Sequence, residues 1–150
     1  MAFYGSIIES QSVEIDTGAA NGNAENDNYW IKVAEVDGTN GEKASAVIGI
    51  DLAGKNGDYR AQAIVYLQHG NGNASYYDIV VDIIESSNTT NPLSANDFVL
   101  TFSTSAHKSQ LFVRSTQKYM KCYASIIQGS KGSATFAIGY QLTVGSSWAS

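Results

Sequence analysis

The chain has 150 residues and a mass of 16.0 kDa, which is the size of one ordinary domain. Charged residues make up only 15%, the net charge is −5 and the isoelectric point is near 4.8. These values argue against a nucleic-acid partner, because that kind of binding rests on Lys and Arg neutralising phosphates. No stretch reaches the about 18 apolar residues of a transmembrane helix, so no membrane insertion is expected.

Predicted strands follow one another from residue 28 onward. In the first, Tyr29, Ile31 and Val33 share one face, and Trp30 and Lys32 lie on the other. β-Branched and aromatic residues dominate these segments, as a half-buried pleated surface prefers. Strands are predicted over residues 28–37, 43–52, 60–69, 75–84, 97–103, 110–115, 119–128 and 133–144.

Turn residues separate these segments, and no window of twelve residues shows a helical stripe. Asn-Gly pairs supply the positive φ angles of tight hairpins; they occur at 21–22, 40–41, 56–57 and 71–72. The pattern predicts an all-β fold, namely one antiparallel, jelly-roll-like β-sandwich spanning residues 1–150. The N-terminus lacks the basic and apolar regions of a signal peptide, so either the protein works without that export route or Met1 begins a fragment of a longer chain.

Catalytic patterns are weak. Ser105, His107 and Asp97 could be combined into a hydrolase triad, but no G-x-S-x-G segment occurs. A glycosidase needs two facing carboxylates, and no motif distinguishes any pair here. The candidates are Glu9, Glu14, Glu35, Asp51, Asp78 and Asp82. Solvated strand faces explain all six, and an amphipathic strand is the favoured explanation of Asp78 and Asp82, which alternate with Ile79, Val81 and Ile83. The sequence therefore predicts no catalytic residue and no enzyme.

Metal and cofactor motifs are also missing from the sequence. The oxygen-rich segment 21–28 departs from the EF-hand pattern, and no phosphate-binding glycine loop is present. Cys122 is the lone cysteine and lies in an apolar strand, where a buried, inert thiol is expected. No cofactor and no metal site are predicted.

Aromatic residues point to a surface that binds sugars. The chain contains nine tyrosines and two tryptophans but few ions, and aromatic faces beside amide groups are suited to glycans. The densest grouping brackets the 69–73 turn and forms the candidate ligand site: Tyr59, Arg60, Tyr66, His69, Asn71, Asn73, Tyr76 and Tyr77. Core packing and cross-strand pairing are the alternative explanation for these aromatics.

Four segments carry a family resemblance. They are YWIKVAEV (29–36), SAVIGIDLAG (45–54), YRAQAIVYLQHGNG (59–72) and QLFVRSTQKYMKCYASIIQG (110–129). In this order they resemble the C-terminal head domains of bacteriophage tail fibres and tailspikes. Residues 1–27 match no part of that family and are expected to connect to an upstream shaft.

The resemblance implies a homotrimeric β-sandwich at a fibre tip, in a virion assembled in the host cytoplasm. It implies binding to a host surface glycan or outer-membrane receptor, with no catalytic residues. Apolar residues on both sides of 61–67 and 79–84 are expected if a neighbouring copy covers the second face. The alternatives are a carbohydrate-binding module of a secreted enzyme, a purely structural trimerising virion domain and an esterase-like hydrolase.

Overall fold

The computed structural model describes residues 11–16, 29–38, 43–54, 60–70, 73–87, 92–114, 121–130, 134–138 and 142–144. Within these residues every strand pairing is antiparallel, and no helix is long and apolar enough to cross a membrane. The strands are β1 (Gln11–Asp16), β2 (Tyr29–Asp37), β3 (Ala44–Ala53), β4 (Arg60–His69), β5 (Asp78–Ser86), β6 (Phe98–Ser103), β7 (Lys108–Arg114), β8 (Lys121–Ser130), β9 (Thr135–Ile138) and β10 (Leu142–Val144).

The strands form two sheets. Sheet A has the order β1-β8-β3-β4-β5, and sheet B has the order β10-β2-β7-β6, with β9 also paired to β2. Strand β7 pairs along one edge of β2. The two short strands β10 and β9 pair with successive parts of the other edge of β2. The all-β, antiparallel sandwich is confirmed.

The connectivity contains one feature of a Greek key. Strands β3, β4 and β5 form a meander in sheet A, and β8 returns beside β3 after the chain has passed through β6 and β7 of sheet B. A jelly roll needs two such keys, so jelly-roll connectivity stays a prediction. The homotrimer stays a prediction as well.

One hydrophobic core joins the inner faces of the two sheets. Ile48, Val65 and Ile126 of sheet A belong to the same buried cluster as Val36 and Leu111 of sheet B. Burial of each such side chain contributes about 1.5–3 kcal/mol, so the face-to-face packing of the sheets is the main source of stability. The alternation of buried and less buried residues along β3 and β4 follows directly from the two-residue period of a strand.

The structure differs from the sequence prediction at three places. Strand β1 lies within the segment expected to be a connector and pairs with β8 over its whole length. The segment predicted as a strand from residue 75 begins with a 3-10 turn, and the strand itself starts at Asp78. The last predicted strand contains two shorter strands, β9 and β10. Strand β1 lacks a strong local signal and is fixed by a partner about 110 residues away in the chain, whereas the 3-10 turn is fixed locally by the Asn73 cap.

Candidate functional site

The predicted ligand residues are distributed along β4 and the turn that follows it. Arg60 begins β4 and His69 ends it, so the length of this ten-residue strand, roughly 30 Å, separates them. Tyr66 lies on the outer face of sheet A and is exposed, whereas His69 and Tyr77 are buried. One small ligand cannot contact Arg60 and His69 together, so the structure does not bring the predicted set into a single site.

The turn after β4 holds two more of the predicted residues, both exposed. The Asn73 side-chain oxygen accepts hydrogen bonds from the backbone N–H of Ser75 (3.1 Å) and from its hydroxyl (2.8 Å), which caps the 3-10 turn. Tyr76 closes that turn and is about half exposed. Asn73 therefore has a structural role here, and Tyr59 and Asn71 lie outside the described residues.

The buried side chains of His69, Tyr77 and Ser109 close the sandwich where β4 ends, and the partly exposed Phe102 covers Tyr77 from outside. We call these four residues the sealed end. His69 Nδ1 lies 2.7 Å from Ser109 Oγ, and this hydrogen bond joins sheet A to sheet B. The His69 ring meets Tyr77 edge-on at 4.9 Å and 80°, and Tyr77 stacks on Phe102 at 4.7 Å and 6°. His69, named above as a candidate ligand residue, is therefore buried, because its side chain follows the inward alternation of β4.

Two further groups set the protonation of the sealed end. Burial lowers the pKa of His69 and the charge of the neighbouring His107 lowers it further, whereas the charge of Asp37 and the backbone of His107 raise it. Asp37 is also 3.7 Å from the Lys108 ammonium. Within the described residues, His69 Nε2, His107 Nδ1 and Asp37 Oδ1 are buried without a hydrogen-bond partner. No three His, Cys, Asp or Glu side chains in that part of the chain are arranged to hold a metal ion.

The serine, histidine and aspartate considered for a hydrolase are not assembled. Asp97 stands before β6 and accepts hydrogen bonds from Arg114 (2.9 Å from Nε) and from the Ser94 backbone. Ser105 and His107 lie in the turn after β6, roughly 20 Å away along that strand. A different serine and histidine, Ser109 and His69, do touch, but both are buried. A substrate could reach Ser109 only if the sandwich opened.

Two other reactive groups that the sequence offered, Glu35 and Cys122, have structural partners or are buried. Glu35 accepts hydrogen bonds from Gln110 (2.9 Å) and Lys32 (3.0 Å), and the Gln110 contact is the main cause of a lowered Glu35 pKa. Cys122 is fully buried, as expected, and burial with the nearby charge of Asp51 raises the pKa of its thiol to about 12. A thiol with this pKa is not a nucleophile at neutral pH.

The outer face of sheet A carries a group of apolar side chains that the rest of the described structure leaves uncovered. Val80 is 60% exposed, Ile84 55%, Ile127 54% and Tyr66 46%. We call these residues, with the half-buried Val47 and Ile64 between them, the apolar zone.

Strand register brings the members of the apolar zone together. Tyr66 pairs with Val47 on one side and with Val80 on the other, so three neighbouring strands contribute to one row. Ile127 is the extra residue of a bulge in β8, and its Cδ1 lies 3.3 Å from where a Cβ on Gly49 would stand. The zone thus spans four neighbouring strands, and the exposed Asp82, which pairs with Ile64, lies within it between Val80 and Ile84.

A shallow depression of about 330 Å³ lies on the same face, beyond the apolar zone and toward the beginning of β4. Ala53 forms its floor because it pairs with Arg60 on one side and with Lys121 on the other. Asp51 and Tyr123, which pair with each other, stand one row further along the sheet. We call these five residues the open end.

Of the open end, the sequence placed only Arg60 in the predicted ligand site, and it offered Asp51 as a candidate carboxylate. No sequence pattern pointed to Lys121 or to Tyr123, which follows the buried Cys122. The missing information was the β3–β8 pairing, which joins residues about 70 positions apart in the chain. No family model, curated protein or solved structure matches this chain.

Proposed function

We propose that this domain is a non-enzymatic attachment head of a bacteriophage tail fibre or tailspike. It binds a host cell-surface receptor, a glycan in the first place, and works as a homotrimer at the tip of a fibre in the virion. The observation that most supports this proposal is the apolar zone, in which Tyr66, Val80, Ile84 and Ile127 are exposed on one face of sheet A. Contiguous exposed apolar surface of this kind marks an interaction site.

The physical case for self-association rests on the two faces of sheet A. The inner face is covered by sheet B, whereas the outer face carries apolar residues on at least three neighbouring strands. Leaving them in water forfeits about 25 cal/mol for every Å² that an interface would cover. Asp78 and Asp82 alternate with Val80 on the same outer face of the edge strand β5, so an interface on this face must leave these two carboxylates at its rim or pair them with cations.

Light scattering after gel filtration tests the oligomeric state. We expect a trimer at micromolar concentration, and we expect Val80→Asp to shift it toward monomer, because a carboxylate would be buried in the interface. Ser105→Asp is the matched control, since it adds the same charge in an exposed turn away from the zone. A wild-type monomer, or a Val80→Asp trimer as stable as wild type, would contradict assembly through this face.

A glycan array with the same preparations separates the related functions. A trimer that binds a glycan on the array would support the proposed function as an attachment head. A monomer that binds a glycan points instead to a carbohydrate-binding module of a secreted enzyme. A trimer that binds neither a glycan nor an outer-membrane protein points to a purely structural virion domain.

A further inference from the structure

We infer that the open end is a binding site for an acidic sugar, that is, a hydroxylated ring that bears a carboxylate. This inference rests on the proposed attachment function and names the ligand class and the residues. The depression of about 330 Å³ is at the small end of the range of ligand sites, about 300–1,000 Å³, and suits one or two sugar rings.

Two cationic side chains flank the floor of the depression. Arg60 and Lys121 stand on either side of Ala53, so two strand spacings, about 10 Å, separate their backbones. The methyl side chain of Ala53 leaves room for an anion between the two long side chains. The chain has only nine Lys and Arg residues in a molecule of net charge −5, so two of them beside one depression make a local exception.

Asp51, in the next outward-facing residue pair along β3 and β8, favours a sugar over a simple anion as the ligand. Asp51 lies one row along the strand, about 7 Å from Ala53. Its carboxylate would repel a phosphate or sulfate that filled the depression, but it accepts hydrogen bonds from hydroxyl groups. A sugar acid presents a carboxylate at one end and hydroxyls at the other, which matches the order of charges here.

Tyr123 supplies the third part of the recognition. Its side chain is 46% exposed, lines the depression and stands beside Asp51. An exposed tyrosine offers a ring against which the CH groups of a sugar can pack, while its hydroxyl stays in water. The guanidinium of Arg60 is the better partner for the carboxylate, since its planar fork donates two parallel hydrogen bonds.

Titration calorimetry with matched ligands tests the site. The probes are a galacturonic acid trimer and an N-acetylneuraminic acid dimer, each with its methyl ester as the uncharged counterpart. We expect at least one acid to bind about tenfold or more tightly than its ester, since a charged hydrogen bond is lost on esterification. We also expect binding to weaken as salt is raised.

Variants of the full chain assign the effect to the open end. Arg60→Gln and Tyr123→Ala should each weaken acid binding about tenfold, with the circular dichroism spectrum unchanged. Lys43→Gln is the control, because it removes one positive charge at the opposite end of β3.

The inference is overturned if neither acid binds, if acid and ester bind equally, or if Arg60→Gln binds like wild type. Its failure is distinct from failure of the proposed function. A trimer that binds only neutral glycans would support the attachment function and contradict the acidic-sugar site. A monomer that binds no receptor would contradict the attachment function itself.

Discussion

The two ends of β4 carry similar polar and aromatic residues but place them differently. At the sealed end, His69 and Tyr77 point between the sheets and contact Ser109 and Phe102. At the open end, Arg60 projects from the outer face, next to a depression that also holds Tyr123. Because side chains alternate along a strand, the odd-numbered His69 follows the core and the even-numbered Arg60 follows the outer face.

This difference teaches how composition alone can mislead. A histidine and tyrosines beside an Asn-Gly turn look like a ligand site, yet at the sealed end they join the two sheets. The depression on the outer face lies at the other end of β4, where Arg60 was the one predicted ligand residue among the described residues. The following predictions test whether the sealed end is structural and the open end is not.

The largest effect is expected at the aromatic stack of the sealed end. Tyr77→Ala should lower the free energy of unfolding by about 3–5 kcal/mol, because a buried ring that contacts His69 and Phe102 is replaced by a cavity. Tyr76→Ala is the matched control and should lower it by about 1 kcal/mol or less, since nearly half of its side chain is already in solvent. If urea unfolding shows equal losses of unfolding free energy for the two variants, the difference in burial between Tyr77 and Tyr76 would be contradicted.

A smaller loss is expected from a change to the backbone beside that stack. In Gly70→Ala the new Cβ would stand 2.3 Å from the Cβ of Tyr76, so the turn must move, at a cost of about 1–3 kcal/mol. In Gly49→Ala the atom nearest to the new Cβ is the movable Cδ1 of Ile127, at 3.3 Å. The alanine lowers the conformational entropy of the unfolded chain, which should offset this contact. The free energy of unfolding should therefore stay the same or rise by up to about 1 kcal/mol. Thermal unfolding of both variants tests this difference in stability. A Gly70→Ala variant as stable as wild type would contradict it.

The pH dependence of stability should reveal the buried His69. Its folded pKa is lowered below the ordinary 6.5, so the unfolded chain binds more protons just below that pH. Its contribution is therefore fully present above about pH 6.5 and is lost as the pH falls toward the lowered pKa. Urea unfolding at pH 7.5 and 5.5 should show a smaller loss of stability for His69→Gln than for wild type.

The pH range of that experiment separates His69 from the other group with a lowered pKa. Glu35 has an ordinary pKa of 4.5, so the stability that it contributes is lost only at lower pH. Identical losses for wild type and His69→Gln between pH 7.5 and 5.5 would mean that His69 titrates alike in the folded and unfolded chains.

The smallest change in stability is expected at the open end. Arg60→Gln should alter the free energy of unfolding by less than about 0.5 kcal/mol, because its side chain is exposed and its backbone bonds to Ser87 do not depend on the guanidinium. A loss above about 1 kcal/mol in urea unfolding would assign Arg60 a structural role and would weaken the contrast between the two ends.

Much of the fold could be predicted from local pattern. Eight segments with a two-residue period correspond to β2–β8 and to the β9–β10 region, and the Asn-Gly turn after β4 separates two strands of one meander. Strand β1 was missed because QSVEID contains only two apolar residues in alternation. The site was predicted only in part, since Arg60 and Tyr66 are exposed whereas His69 and Tyr77 are core residues.

The sequence by itself determined the strand class, the turn positions and which residues of a strand share a face, because these depend on neighbours in the chain. It did not decide which face of β4 or β5 is covered, since both faces carry apolar residues. Only the packing of sheet B against sheet A buried His69 and left Tyr66 and Val80 outside. The open end likewise exists only because long-range pairing places β8 beside β3, and such pairing is set by the whole core rather than by any local pattern.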